Sequence, residues 1–173
     1  MEKDEPRREG RRMEKVTLRK VSYENVWRLT ELKVSEAQMN FVATNAESLI
    51  EAYLAISAGG VAMPFGIYAG DRPVGFLMIG YDCTDWEDAP LIAHGNYCIW
   101  RLMIDSDEQG KGYGRAALEE VLGFIKTFPC GNAEYCFLSY EPENTVAKSL
   151  YESFGFVENG EFDGDEAIAV LHL

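Results

Sequence analysis

The sequence lacks the features that would commit it to a membrane, a secretory route or a metal. No apolar run approaches the roughly 20 residues needed to span a bilayer. The opening residues, Met1-Glu2-Lys3-Asp4-Glu5-Pro6, contain no apolar stretch of the kind a signal peptide requires, so a cytoplasmic protein is expected. Four cysteines, Cys83, Cys98, Cys130 and Cys136, form no C-x-x-C pair. Neither zinc nor a disulfide framework is implied, and reduced thiols are expected, with Cys98 and Cys136 in strands. The only histidines, His94 and His172, are far apart and anchor no metal-ligand spacing, so no metal is expected. Positive charge is scarce as well: 16 Lys and Arg stand against 29 Asp and Glu, a formal net charge of −13. Residues 1–20 hold eight basic and five acidic residues, so the remainder carries −16. Such a body repels nucleic acid and anionic membrane and attracts a polycation. Internal repeats and a second domain boundary are absent too.

What is present is an ordinary globular composition, 47% hydrophobic and 26% charged over 173 residues, enough for one domain with a proper core. Residues 1–15 are polar and aperiodic and are expected to be a flexible leader, with a single domain over 16–173. Val16 to Val21 alternates apolar and polar and predicts a strand. Ser22 is expected to cap a short amphipathic helix carrying Val26, Trp27, Leu29 and Leu32. After a polar segment, Asn45 is the expected cap of a second helix with Leu49, Ile50, Tyr53 and Leu54 turned inward. Met63–Ala69 and Val74–Tyr81 read as strands around the turn Gly70-Asp71-Arg72-Pro73. An acidic and aromatic loop follows, then a strand over Tyr97–Ile104 and a helix to about Phe128. The spacing next predicts a strand over Glu134–Tyr140, a helix ending at Gly155, a short strand, and a last strand from Glu166 to Leu171. The fold class is α/β (α+β), in the order β-α-α-β-β-β-α-β-α-β.

The chain is organised around Ile99 to Leu118: a buried strand, three alternate glycines at Gly110, Gly112 and Gly114, and a helix start. Glycine lets backbone approach a ligand closely, and a helix N-terminus offers unpaired N–H groups to an anion. A P-loop fails because Lys111 is followed by Gly112, and the G-x-G-x-x-G dinucleotide pattern fails at Arg115. What fits is Gln-x-x-Gly-x-Gly, Gln109 to Gly114, which resembles the acyl-CoA pyrophosphate loop of the GCN5-related N-acetyltransferase (GNAT) family. A second motif, Asn144, Ala147, Leu150, Tyr151, Phe154, Gly155 and Phe156, resembles that family's other signature. The resemblance covers essentially the whole chain from Val16 on.

The resemblance implies a GNAT fold, a mixed, mostly antiparallel sheet flanked by helices, and an acetyl-CoA-dependent N-acetyltransferase in which an amine attacks the thioester directly. It implies that Leu102, Met103 and Ile104 pair with the pantetheine arm and supply an oxyanion N–H. It further implies that Gln109, Gly110, Lys111, Gly112, Tyr113, Gly114 and Arg115 hold the pyrophosphate, with Asn144 and Lys148 also on the cosubstrate side. Tyr151 occupies the family's general-acid position. The base has no obvious seat on the central strand, where position 101 is Arg; Glu36, Asp82 and Glu87 are the candidates. Glu36 to Asn45, with Trp100 to Asp105, resembles the bacterial spermine/spermidine acetyltransferases of the superfamily. The expected acceptor wall is Glu36, Phe41, Asp82, Asp85, Trp86 and Glu87, with Glu47 and Glu51 near it, and the expected partner is a small polyamine. Another small amine, an aminoglycoside or a protein N-terminus is the alternative acceptor, and a catalytically weak acyl-CoA-binding module the alternative class. A homodimer is common in the family.

Overall fold

The computed structural model describes residues 14–84 and 89–173. The expected leader (all but its last two residues) and the wall candidates Asp85, Trp86 and Glu87 lie outside the described residues. The strands are β1 (Val16–Lys20), β2 (Val61–Ala69), β3 (Arg72–Tyr81), β4 (Tyr97–Ile104), β5 (Tyr135–Tyr140), β6 (Val157–Asp163) and β7 (Glu166–His172). The helices are α1 (Val26–Thr30), α2 (Asn45–Ser57), α3 (Tyr113–Ile125) and α4 (Thr145–Glu152). The final strand of the expected order is preceded by the short strand after Gly155, and the two pair as the hairpin β6–β7. The strands form one sheet in the order β1-β2-β3-β4-β5-β7-β6. All neighbours are antiparallel except β4 and β5. Among the described residues no helix is long and apolar enough to cross a membrane.

Two layers cover the sheet. On one face α3 buries Ala117, Leu118, Val121, Leu122 and Ile125, the expected 3.6-residue stripe. These pack with Ile67, Leu77, Ile79, Ile99 and Leu138 from four strands. On the other face Ala52 of α2 meets Phe76, Met78 and Met103. Here the structure corrects the sequence reading. Leu49 packs inward as expected, but Ile50, Tyr53 and Leu54 are exposed at 60%, 70% and 60%, and the fully buried positions are Asn45, Ser48 and Ala52. Small side chains let the helix lie close to the sheet, and the Asn45 amide donates to the Leu29 carbonyl at 2.8 Å. The cap of α2 is Thr44, not Asn45. Its hydroxyl accepts from Glu47 N–H, and the Glu47 carboxylate accepts from Thr44 N–H at 2.8 Å, a reciprocal capping box. Likewise α1 begins at Val26 rather than straight after Ser22, and Trp27 lies out in solvent. Its Leu29 is fully buried, seated over Gly66, where an added Cβ would come within 2.7 Å of it.

Two irregularities in the middle of the sheet create the site. First, β4 and β5 pair only at Tyr97 with Cys136 and Cys98 with Phe137; beyond these the two strands have no ladder. Second, β4 carries a bulge. Ile99 opposes Ile79 and Arg101 opposes Met78, leaving Trp100 as the extra residue. A bulge bends its strand and re-aims the side chains after it. Leu102 and Ile104 then pack toward α3, whereas Met103 packs toward α2.

Candidate active site

The parting of β4 and β5 opens a cleft of about 880 Å³ whose lining comes from both faces of the sheet. On the α3 face its floor is the glycine loop. Gly110 and Gly112 hold φ of 74° and 88°, values an L side chain adopts only under strain. That turn delivers the chain to the start of α3 with its amides exposed. Six successive backbone N–H groups, Gly110 through Arg115, find no acceptor among the described residues. A row of free N–H groups at a helix N-terminus suits a phosphate chain.

The Gln109 side chain braces this loop, its amide donating to the Ile104 carbonyl at 3.0 Å and to the Gln38 side-chain oxygen at 2.9 Å. Arg115 lines the cleft, hydrogen-bonded to the Ser153 hydroxyl at 2.7 Å and stacked over Phe154 at 5.0 Å. Lys111 is turned away: its ammonium bonds the Asp107 carbonyl at 2.7 Å and the Glu108 carboxylate at 3.0 Å. Arg72, with Lys111 second, holds the Glu108 carboxyl below the usual range. Arg72 also reaches the Tyr113 hydroxyl at 3.3 Å, which ties the loop to the start of β3.

The backbone of β4 completes this half. Asp105 N–H donates to Val74 O at 2.9 Å, so Asp105 turns its polar groups toward β3. By the antiparallel alternation Leu102 and Ile104 turn theirs the other way, into the gap. The Gln109 contact on the Ile104 carbonyl agrees with that geometry. Opposite stands α4. Asn144 is its N-cap, accepting from Ala147 N–H at 3.2 Å. Tyr151, about two turns on, lines the cleft and is 8% exposed. Its hydroxyl has no hydrogen-bond partner among the described residues. Burial, helped by the charge of Glu166, pushes this phenol up to about 12. The neighbouring Tyr140, with its ring centroid at 5.8 Å, spends its hydroxyl on Glu158 at 2.7 Å. Lys148 pairs with the same Glu158 oxygen at 2.7 Å and does not line the cleft.

On the α2 face the lining is of another kind. Phe41, Trp100, Arg101, Glu47 and Glu51 form one wall. Glu51 pairs with Arg101 at 2.8 Å, and Arg101 also donates to the Trp100 carbonyl at 2.8 Å. The Arg101 Nε is buried without a hydrogen-bond partner among the described residues. Hydrogen bonds from Thr44 hold the Glu47 carboxyl below its ordinary value. The facing wall is Ser139 on β5 and Glu166 on β7, with the Ser139 hydroxyl donating to the Glu166 carboxylate.

Two expected wall residues are absent from this lining. Glu36 sits in the short turn Glu36–Gln38, of which only Gln38 reaches the cleft. Asp82 closes the loop before β4, with φ of 51°, its carboxylate accepting from Gly95 N–H at 2.7 Å and its N–H donating to Asn96 O at 3.0 Å. Sequence reasoning missed Ser139, Tyr140 and Glu166. No local motif marks them, because only the pairing of β5 with β7 brings them to the gap.

A through-sheet cleft with a free amide row on one side and a polar, aromatic wall on the other defines a group-transfer enzyme built on an anionic cosubstrate. The model of the acetyltransferase (GNAT) family matches residues 27–156, and the chain belongs to that family. It is an acetyl-CoA-dependent N-acetyltransferase. The chain is 28% identical over 160 residues to the spermine/spermidine N(1)-acetyltransferase of Bacillus subtilis (strain 168), covering 91% of this chain and 99% of that one. Its fold is similar to that of aminoglycoside acetyltransferase AAC(6')-Ib in complex with coenzyme A, with a TM-score of 0.71 at 19% identity over 91% of this chain and 94% of the other. It is also similar to spermidine N-acetyltransferase from Vibrio cholerae in complex with CoA and spermine, with a TM-score of 0.63 at 20% identity over 92% and 95% of the two chains.

Proposed function

We propose that the protein acetylates a primary amine of a polyamine, spermidine or spermine, by direct attack on acetyl-CoA in a ternary complex. The observation that carries this reading is the acceptor side of the cleft, where the carboxylates of Glu47 and Glu51 stand beside the aromatic faces of Phe41 and Trp100. Carboxylates and rings together suit a flexible, multiply charged amine. The similarity to a chain named as a spermine/spermidine acetyltransferase points the same way. The protein works in the cytoplasm, where its thiols stay reduced.

The residues divide the work by face. The N–H row from Gly110 to Arg115 holds the pyrophosphate, with the Arg115 guanidinium adding charge. Lys111 contributes its backbone N–H, since its ammonium is held by Glu108. The gap-facing groups of Leu102 and Ile104 pair with the pantetheine amides, Met103 supports them from the α2 side, and the Leu102 N–H is the donor for the oxyanion. Asn144 fixes the start of α4 and so the placing of Tyr151. Tyr151 stays protonated throughout the physiological range and can hydrogen-bond the departing sulfur and then give up its proton.

The test is release of free thiol with spermidine, spermine, kanamycin and a simple monoamine as acceptors. Turnover of the two polyamines at the lowest KM supports the reading. Between about 0.1 and 1 M salt the Debye length falls from about 10 to about 3 Å, so KM for spermidine should climb severalfold while kcat holds. Turnover of kanamycin or the monoamine without spermidine would overturn the polyamine assignment.

A further inference from the structure

The reaction needs a group that accepts a proton from the amine; of the expected candidates Glu36 and Asp82 do not line the cleft, Glu87 lies outside the described residues, and β4 offers no carboxylate. An ammonium must become a neutral amine before its nitrogen can attack. Of the described carboxylates lining the cleft, three are each held in place by a protein partner, which suits them to charge recognition rather than to carrying a proton. Glu108 is engaged by Arg72 and Lys111, Glu51 by Arg101, and Glu47 by the backbone and hydroxyl of Thr44. Glu166 remains. It begins β7, and along β7 the side chain of Ile168 packs on the same face as Phe137 of β5 and Trp100 of β4. By the period-two alternation Glu166 shares the face of Ile168, and Ser139 that of Phe137. Both therefore stand on the acceptor face of the open gap, directly across the sheet from the thioester side.

We propose that Glu166 is the general base: its carboxylate, positioned by the Ser139 hydroxyl, removes the proton from the acceptor's ammonium across the β4–β5 gap from Tyr151. This rests on the acetyl-transfer reading given above. The proton balance is complete. Glu166 takes one proton from the ammonium, freeing the nitrogen lone pair. That pair forms the C–N bond to the thioester carbonyl carbon, and the carbonyl electrons move to oxygen. As the tetrahedral intermediate collapses, the C–S bond breaks and its electrons leave on sulfur. The sulfur receives the Tyr151 proton, the second nitrogen proton restores the phenol, and Glu166 passes its proton to solvent. The products are the amide, free thiol and one proton.

The charged and titratable groups around Glu166 favour this role. Glu141, just past β5, and Tyr151 of α4 are pushed upward chiefly by burial and in part by the charge of Glu166. Glu143 and Asp165 add negative charge beside Glu141. A positively charged amine is drawn to that side, and Tyr151 is kept in its acid form.

The experiment compares wild type with Glu166→Gln and Glu166→Asp, using spermidine and kanamycin in parallel and following free thiol, with acetyl-CoA affinity measured by calorimetry. E166Q should bind acetyl-CoA as wild type does and lose about 10²–10⁴-fold in kcat at pH 7. The defect should shrink as pH approaches that of the free amine near 10, and E166D should recover part of the rate. A merely structural role would give a loss equal at every pH. A pH-independent loss, or a kcat within twofold of wild type at pH 7, overturns the assignment. If only kanamycin is turned over and E166Q still collapses its kcat, the base stands and the polyamine reading falls. If spermidine is turned over equally by wild type and E166Q, the reverse holds. No thiol release with either amine overturns both.

Discussion

Tyr151→Phe removes a single oxygen from a side chain that is 8% exposed. That hydroxyl has no hydrogen-bond partner among the described residues, so its loss orphans nothing, and stability at pH 7 should change by less than about 0.5 kcal/mol. The effect on rate follows from the phenol's acidity. At about 12 it is a weaker acid than a free thiol at about 8.5. Complete transfer to the sulfur is then uphill by roughly 3.5 units, or about 5 kcal/mol at 1.36 kcal/mol per unit. In the proposed role Tyr151 would act chiefly as a hydrogen-bond donor whose proton moves late, so the expected loss in kcat is near the lower end of the usual range, about 10²-fold. Initial rates of thiol release at saturating substrates, with calorimetry for acetyl-CoA, separate this from a binding defect. The pH dependence gives a second check. Because the folded-state value is raised, the stabilising contribution is complete below about pH 10 and is lost as pH climbs toward 12. Wild type should lose roughly 3 kcal/mol over that interval that Y151F keeps. A kcat within twofold of wild type, or a wild-type kcat that falls around pH 10 and loses that limb in Y151F, would rule out Tyr151 as the acid with its raised value.

Two further changes probe the loop. Gly110→Ala places a Cβ in open cleft space at φ of 74°, so it should cost about 1–2 kcal/mol of stability and weaken acetyl-CoA binding by calorimetry. Gly123→Ala in α3, which meets nothing within 4 Å, should instead stabilise by about 1 kcal/mol and leave kinetics unchanged. Gln109→Ala strips the Ile104 carbonyl and Gln38 of their shared donor; it should raise the acetyl-CoA Kd about tenfold, equivalent to about 1.4 kcal/mol, while Tm falls by only about 2–4 °C.

How far the sequence discloses this depends on whether the information is local. The α3 stripe is legible because its five apolar positions all meet the sheet. The glycine loop and Asn144–Tyr151 are legible because each motif's residues are near neighbours in the chain. The α2 face is misread in part: Leu49 packs inward as expected, but the fully buried positions are Asn45, Ser48 and Ala52. Hydrophobicity points to Ile50, Tyr53 and Leu54, yet close packing on the sheet selects small residues. The Thr44 cap was within reach, since Thr44 and Glu47 have capping-box spacing. The Trp100 bulge, the Glu51–Arg101 pair and the meeting of Ser139 with Glu166 depend on strand register between distant segments, and no single stretch of sequence encodes them.

If acetyl moves from sulfur to a polyamine nitrogen within this cleft, the products of incubation with acetyl-CoA and spermidine will show it by mass spectrometry. Spermidine should carry one acetyl group on a primary amine, formed in equal amount with free coenzyme A. Free coenzyme A accompanied by unmodified spermidine, or no consumption of acetyl-CoA, would contradict it.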